Sequence, residues 1–241
     1  MKQSEERTAR NGVDLHRLVM SVQSIPTSDA MPWILNRHYA KRSCPISYAF
    51  GIYEGDQMIG VVTYGTPLSS TLRSGVCGKE WSGKVLELNR LCCENRKNVA
   101  SMLVGRSLKM LPKPSIVVSY ADQGQGHVGY VYQATNFLYT GLSAKFKDPM
   151  VKGMEHKHHT TIGDEGRGHD SRVKFLREKY GAENVYYVER ARKHRYVFLH
   201  GSKTDKWKMR QAMNYKEFEY PKGESKHYEV EGIQTQSLLF T

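Results

Sequence analysis

Between residues 47 and 65 the runs SYAFGIY and MIGVVTYG alternate apolar and polar positions around the turn EGDQ, which predicts a β-hairpin. VLELNRLCC (85–93) predicts a strand with Leu86, Leu88 and Arg90 on one face. Val99, Met102, Leu103, Leu108 and Leu111 then recur at near-helical spacing behind Asn98, an N-cap residue type, and Pro112 and Pro114 stop the helix. SIVVSYAD (115–122) is continuously apolar at its start, as expected of a central strand buried on both faces. VYQATNFLY predicts a helix and LYTGLSAKF a further strand. An antiparallel hairpin followed by strand, helix, strand, helix and strand predicts an α+β domain with a mixed central sheet flanked by helices.

The flanks carry less pattern. DLHRLVMSV (14–22) predicts about two turns of helix before Pro26, and TPLSSTLRSGVCGKEWSG reads as a loop rich in Gly, Ser and Thr. From Lys145 the chain turns polar, and KFKDPMVKGMEHKHHTTIGDEGRGHD reads as a long loop or inserted arm. Asp170 or Ser171 can cap a short helix, SRVKFLREKYG, that Gly181 ends. NVYYVE and RYVFLHG then flank the basic turn RARK as a second hairpin, and beyond about 210 no period is visible. The expected organisation is an entry segment (1–29), an α+β core (30–147), a basic loop–helix–hairpin elaboration packed on it (148–201) and a charged tail (202–241).

Composition narrows the class. The 241 residues carry 36 Lys+Arg against 24 Asp+Glu, a net charge of +12, and 39% are hydrophobic, enough for a real core. No apolar run is long enough to span a bilayer, no secretory signal is visible, and the four cysteines form no C-x-x-C, so a reduced cytoplasmic protein without a membrane partner is expected. Residues 145–210 hold 17 Lys+Arg against 9 Asp+Glu, so eight of the twelve excess charges sit in about a quarter of the chain, as a polyanion-binding surface would. P-loop and G-x-S-x-G motifs are absent, as is the Asp/Asn-Pro-Pro-aromatic tetrapeptide of adenine methyltransferases.

Four constellations could carry chemistry. Asn98 and Ser101 in the first helical turn, with Gly105 and Arg106 a turn later, form either an anion site for a phosphate-bearing donor such as acyl-CoA or an ordinary capped helix. Ser119, Tyr120, Asp122 and His127 crowd the C-terminal end of a strand, where ligands bind in open α/β sheets. There Asp122 or His127 could take a proton from an amine and a hydroxyl could steady a leaving group; the plain alternative is that Asp122 caps a turn. Glu155, His156, His158 and His159, with His38 far upstream, are the metal-ligand candidates, although alternate residues on a loop fit no closed zinc pattern. Arg190, Arg192, Lys193, His194 and Arg195, followed by Tyr196 and Phe198, could clamp a nucleic-acid backbone.

The string VLELNRLCC…NVASMLVGRSLKML…SIVVSYAD…GHVGYVYQATNFLYTGL, with NRHYAKR upstream and REKYGAENV…RKHRYVFLHG downstream, closely resembles the Mom family of phage DNA adenine modification proteins over residues 33–202. The resemblance implies a fold related to the GNAT acyltransferases and conversion of the adenine N6 amino group in double-stranded DNA to a carbamoylmethyl derivative. That modification would shield phage DNA from host restriction. It implies acetyl-CoA or glycyl-tRNA as group donor, and iron as a possible requirement. NRKNVAS replaces the Q/R-x-x-G-x-G/A loop of the GNAT pattern, a departure that bears on ordinary CoA binding. On this reading Asp122 is the base, Ser119 and Tyr120 its hydroxyl partners, Asn89, Arg90 and Arg106 orient the donor, and Tyr39 and Tyr132 stack on the base. The alternatives are an acetyltransferase for a small amine or protein, and a DNA-binding protein without catalysis.

Overall fold

In the computed structural model, which describes residues 20–157 and 159–223, the chain forms two compact units. The first takes in the described residues up to Val117 together with Leu199–Met213; the second runs from Val118 to Phe198 and resumes at Asn214.

Among the described residues the first unit begins with β1 (Met20–Ser24), which takes in the last three positions of the helix expected over 14–22; positions 14–19 lie outside the described residues. The strand wins because Met20–Ser24 pair antiparallel with Glu54–Phe50 of the next strand, and Pro26 blocks helical continuation. Helix α1 (Thr27–Asn36) follows, then the predicted hairpin as β2 (Tyr48–Glu54) and β3 (Gln57–Gly65). The segment read as a loop contains α2 (Ser70–Cys77): Ser69 accepts from the Leu72 N–H, and Val76 and Cys77 are buried. Glycine and serine there hid a helix that rests on two apolar positions. The predicted strand is β4 (Val85–Cys93), the predicted helix is α3 (Val99–Met110), and the predicted buried strand is β5 (Ser115–Asp122). Within this unit β1, β2, β3, β4 and the start of β5 lie side by side in that order, the first four antiparallel. Ile25, Ala30, Trp33, Ile34, Ala49, Val61 and Cys92 pack α1 against the sheet. Each large side chain buried this way contributes about 1.5–3 kcal/mol.

In the second unit α4 spans only Tyr130–Ala134 of the longer helix expected. Asn136 adopts a left-handed φ of 61°, which turns the chain out of the helix and into β6 (Leu138–Leu142). The expected long loop holds β7 (Lys147–Val151) and α5 (His159–Glu165). Helix α6 (Arg172–Tyr180) is capped by Ser171, which accepts from the Lys174 N–H, and is ended by Gly181 at φ 88°. The second predicted hairpin does not form. Its first half, β8 (Val185–Glu189), pairs antiparallel with β7 in a two-stranded sheet, whereas β9 (Lys193–His200) pairs antiparallel with β6. Burial decides the partner: Val185 and Val151 face one another and close over Met150, Ile162 and Leu176. The RARK segment is therefore a crossing between two sheets. In this unit the end of β5, then β9 and β6 lie side by side. After β9, α7 (Lys203–Gln211) returns to the first unit under a capping box formed by Ser202 and Asp205. The chain is α+β, its principal strand pairings antiparallel and its sheets flanked by helices.

Candidate active-site groups

Between Thr63 and Tyr64 the register of β3 against β4 shifts, so that Thr63 opposes Arg90 and Tyr64 opposes Leu88, and Asn89 becomes the extra residue of a bulge. Bulges re-aim side chains, and here the carboxamide is turned into a polar cluster. Asn89 Oδ1 accepts from Thr63 Oγ1 at 2.7 Å and from Cys44 Sγ at 3.4 Å, while Nδ2 donates to the Pro45 carbonyl at 2.6 Å. Arg90 donates from Nη1 to the Asn89 carbonyl (2.6 Å) and from Nη2 to the Arg42 carbonyl (3.2 Å). Its Nε is buried with no hydrogen-bond partner. The strap 42–47 is thus tied down by side chains of β4, and it approaches so closely that a Cβ on Gly65 would lie 1.9 Å from the Pro45 oxygen. Burial raises the Cys44 thiol pKa even though Arg90 pulls it down, so sulfur acts there as a weak donor and not as a thiolate.

Upstream, His38 is buried and stacks on the exposed ring of Tyr39, with centroids 4.4 Å apart. His38 Nδ1 accepts from the Ala40 N–H at 3.0 Å. At α3, Asn98 occupies the N-cap position with a φ of 66° but makes no side-chain cap, and Ser101 Oγ donates back to the Asn98 carbonyl. The first turn therefore has no side-chain cap to compete with an anion. Gly105 lies in the body of the helix. Arg106 does not join the N-terminal group: its Nη1 donates to the Met20 carbonyl at 2.6 Å, which ties α3 to β1.

At the end of β5, in the second unit, Asp122 is the hub. Its Oδ1 accepts from the Gly124 N–H at 2.9 Å and its Oδ2 pairs with Lys193 Nζ at 3.3 Å. The His127 N–H donates to the Asp122 carbonyl at 3.0 Å, and the His127 side chain is buried. Ser119 is fully buried and Tyr120 half-buried on the same strand. Tyr132, 5% exposed, packs against Phe137 and Tyr196.

The cations expected to clamp nucleic acid are committed to the protein. Arg190 forms a two-pronged ion pair with Asp148. Arg192 donates to the Ser143 carbonyl at 2.7 Å, and Lys193 holds Asp122. Arg195 donates to the Thr140 side chain and carbonyl, both at 2.9 Å, and lies 3.4 Å above the ring of Tyr215. His194 is buried with Nδ1 2.8 Å from the Tyr139 hydroxyl, and burial lowers its pKa. The same burial raises the pKa of Tyr139.

A family model described as the Mom protein family matches residues 19–222. The chain belongs to the Mom family. The methylcarbamoylase Mom of Escherichia phage Mu is 30% identical over 129 residues, a match that takes in 51% of this chain and 54% of the phage protein. Among solved structures, the ribosomal-protein-S18-alanine N-acetyltransferase of Escherichia coli aligns at a TM-score of 0.42 and 9% identity, over 76% of this chain and 95% of that one. A GNAT-family acetyltransferase of Bacillus cereus aligns at a TM-score of 0.39 and 12% identity, over 75% and 97%.

Among the described residues of this Mom-family chain no three His, Cys, Asp or Glu side chains gather as metal ligands. His38 is engaged with Ala40, and His156 lies on a turn. His158 and the side chain of His159 lie outside what is described. No helix among the described residues is long and apolar enough to cross a membrane. Thr63 and Cys44, which build the Asn89 cluster, and Tyr215, which carries Arg195, escaped sequence reasoning. The signal for Thr63 was available, a polar residue in an otherwise apolar strand, but only the bulge joins it to Asn89.

Proposed function

We propose that this chain is a transferase that converts the N6 amino group of adenine in DNA to its carbamoylmethyl derivative. The observation that carries the reading is the Mom-family match across residues 19–222, supported by the phage relative named a methylcarbamoylase. An N6–carbon bond forms and one N6 proton leaves. The bond between the transferred group and its carrier breaks, and the carrier departs with the electron pair and takes up a proton. Adenine N6 is a weak nucleophile because its lone pair is delocalised into the ring, and the base must leave the stack at a cost of a few kcal/mol.

Asp122 is the proposed proton acceptor. It lies 3.3 Å from Lys193 Nζ and accepts from the Gly124 N–H, so its orientation is set before substrate arrives. Asn89 and Arg90 are the proposed donor-orienting groups, their geometry set by the bulge and the 42–47 strap. A donor carried on CoA would find the first-turn N–H groups of α3 without a side-chain cap, but an acetyl group lacks the amide nitrogen of the product. A glycyl group on tRNA has its carbon and nitrogen count, and N6 attack on its carbonyl, with the tRNA hydroxyl leaving, gives a glycyl amide that must then isomerise to the carbamoylmethyl group. Tyr39, with its exposed ring, remains the proposed stacking residue.

The reading is tested by exposing DNA from cells that express the protein to a panel of restriction endonucleases with adenine in their sites. Resistance is expected with the native chain and cleavage with Asp122→Asn. Full cleavage in both, with soluble protein, overturns the proposal.

A further inference from the structure

We infer that α7, and not the RARK segment, is the element that seats the protein on the phosphate backbone of duplex DNA, an inference that rests on the function proposed above. Arg190, Arg192 and Lys193 of the RARK segment and the adjacent Arg195 are each held by a carboxylate, a carbonyl or a ring within their own unit. Helix α7 carries Lys203, Lys206, Lys208 and Arg210 within nine residues, all exposed. Its one acid, Asp205, is used in the capping box with Ser202. Lys203, Lys206, Trp207 and Arg210 stand at i, i+3, i+4 and i+7, so they share one face. The face runs about 10 Å along the helix axis, over which each DNA strand presents roughly three phosphates.

Trp207 stands among these cations and is 63% exposed, the most exposed of the three tryptophans. The apolar anchor of the helix is Met209, which is fully buried and whose carbonyl accepts from the Cys77 thiol at 3.3 Å. The tryptophan is therefore not needed to hold α7 in place, and a flat ring with an N–H donor among ammonium groups suits the sugar and base edges of a nucleic acid. Exposed Lys113 adds to the same field: it and Lys206 both act on buried His200, whose Nε2 lies 3.2 Å from the Leu111 carbonyl. A membrane surface is a poorer match, because the face offers a single large apolar side chain where interfacial helices offer a row.

The test measures binding of the full-length protein to a fluorescent 20-base-pair duplex by anisotropy as salt is raised, with tryptophan emission recorded in parallel. The variants are Lys203→Gln/Lys206→Gln/Arg210→Gln, Trp207→Ala, and a charge-matched control, Lys145→Gln/Lys152→Gln/Lys174→Gln, at exposed positions of the second unit. Glutamine keeps helix propensity, so folding is preserved. In the α7 triple variant affinity should fall about tenfold or more, and the log–log salt slope should flatten by about 0.9 for each phosphate no longer neutralised. The control should change much less, and Trp207→Ala should lose most of the DNA-induced emission change. An α7 variant that binds like the native protein, an equal loss in the control, or an emission change that persists without Trp207 overturns the inference and leaves the proposed function standing. Tighter binding of the protein to anionic vesicles than to the duplex also overturns it. A native protein that binds no DNA overturns both.

Discussion

Lys193 Nζ lies 3.3 Å from Asp122 Oδ2, so the carboxylate proposed to accept the adenine proton is joined to the first residue of β9. Lys193 thus pairs with the proposed base, although its sequence context of RARKHR points to nucleic acid. Asp122→Asn should lower modification by about 10²–10⁴-fold, the range of a lost general base. Lys193→Met should lower it while leaving duplex affinity near native. Carbamoylmethyl-adenine yield and anisotropy, measured on the same preparations, check the pair.

The Asn89 cluster is a stability element as well as a proposed donor site. Thr63 is fully buried, and Asn89→Ala strips its hydroxyl of the carboxamide acceptor at 2.7 Å. An unsatisfied buried donor costs about 1–3 kcal/mol, so the urea midpoint should drop accordingly. In Thr63→Val/Asn89→Ala the combined loss should be smaller than the sum of the single losses.

Gly65 has a steric reason to be glycine. A Cβ would overlap the Pro45 carbonyl at 1.9 Å and approach Asn89 Nδ2 at 2.9 Å. Gly65→Ala should push the 42–47 strap off the bulge and lose modification activity. Crystallography or amide exchange of residues 42–47 would register the displacement.

Stability should fall as pH drops below the ordinary imidazole value of 6.5. Burial lowers the pKa of both His194 and His200 in the folded state, so the unfolded chain binds protons more readily there. Stability is complete above 6.5 and declines as pH falls toward the lowered folded values. His194→Gln should weaken this dependence in denaturation curves taken between pH 7.5 and about pH 5.

Elements with dense apolar periodicity were legible in the sequence: the 47–65 hairpin, the strands at 85–93 and 115–122 and the helix between them all stand as read. Each has several apolar residues that commit it to a face. The misread elements rest on one or two, namely α2 on Val76 and Cys77, β7 on Met150 and Val151, and α5 on Ile162. Pairing was harder still, because NVYYVE and RYVFLHG satisfy a hairpin pattern as well as two separate sheets, and only the distant partners Lys147–Val151 and Leu138–Leu142 distinguish them. Charge density marks a basic region but cannot say which cations are tied to Asp148, Asp122 or Tyr215.

The central claim concerns one atom, N6 of adenine. It is tested most directly by expressing the protein in a bacterium, digesting the DNA to nucleosides and weighing the adenosine fraction. The account predicts a deoxyadenosine heavier by the carbamoylmethyl increment, absent when Asp122→Asn replaces the native protein. Unmodified deoxyadenosine from cells with abundant soluble native protein would contradict it.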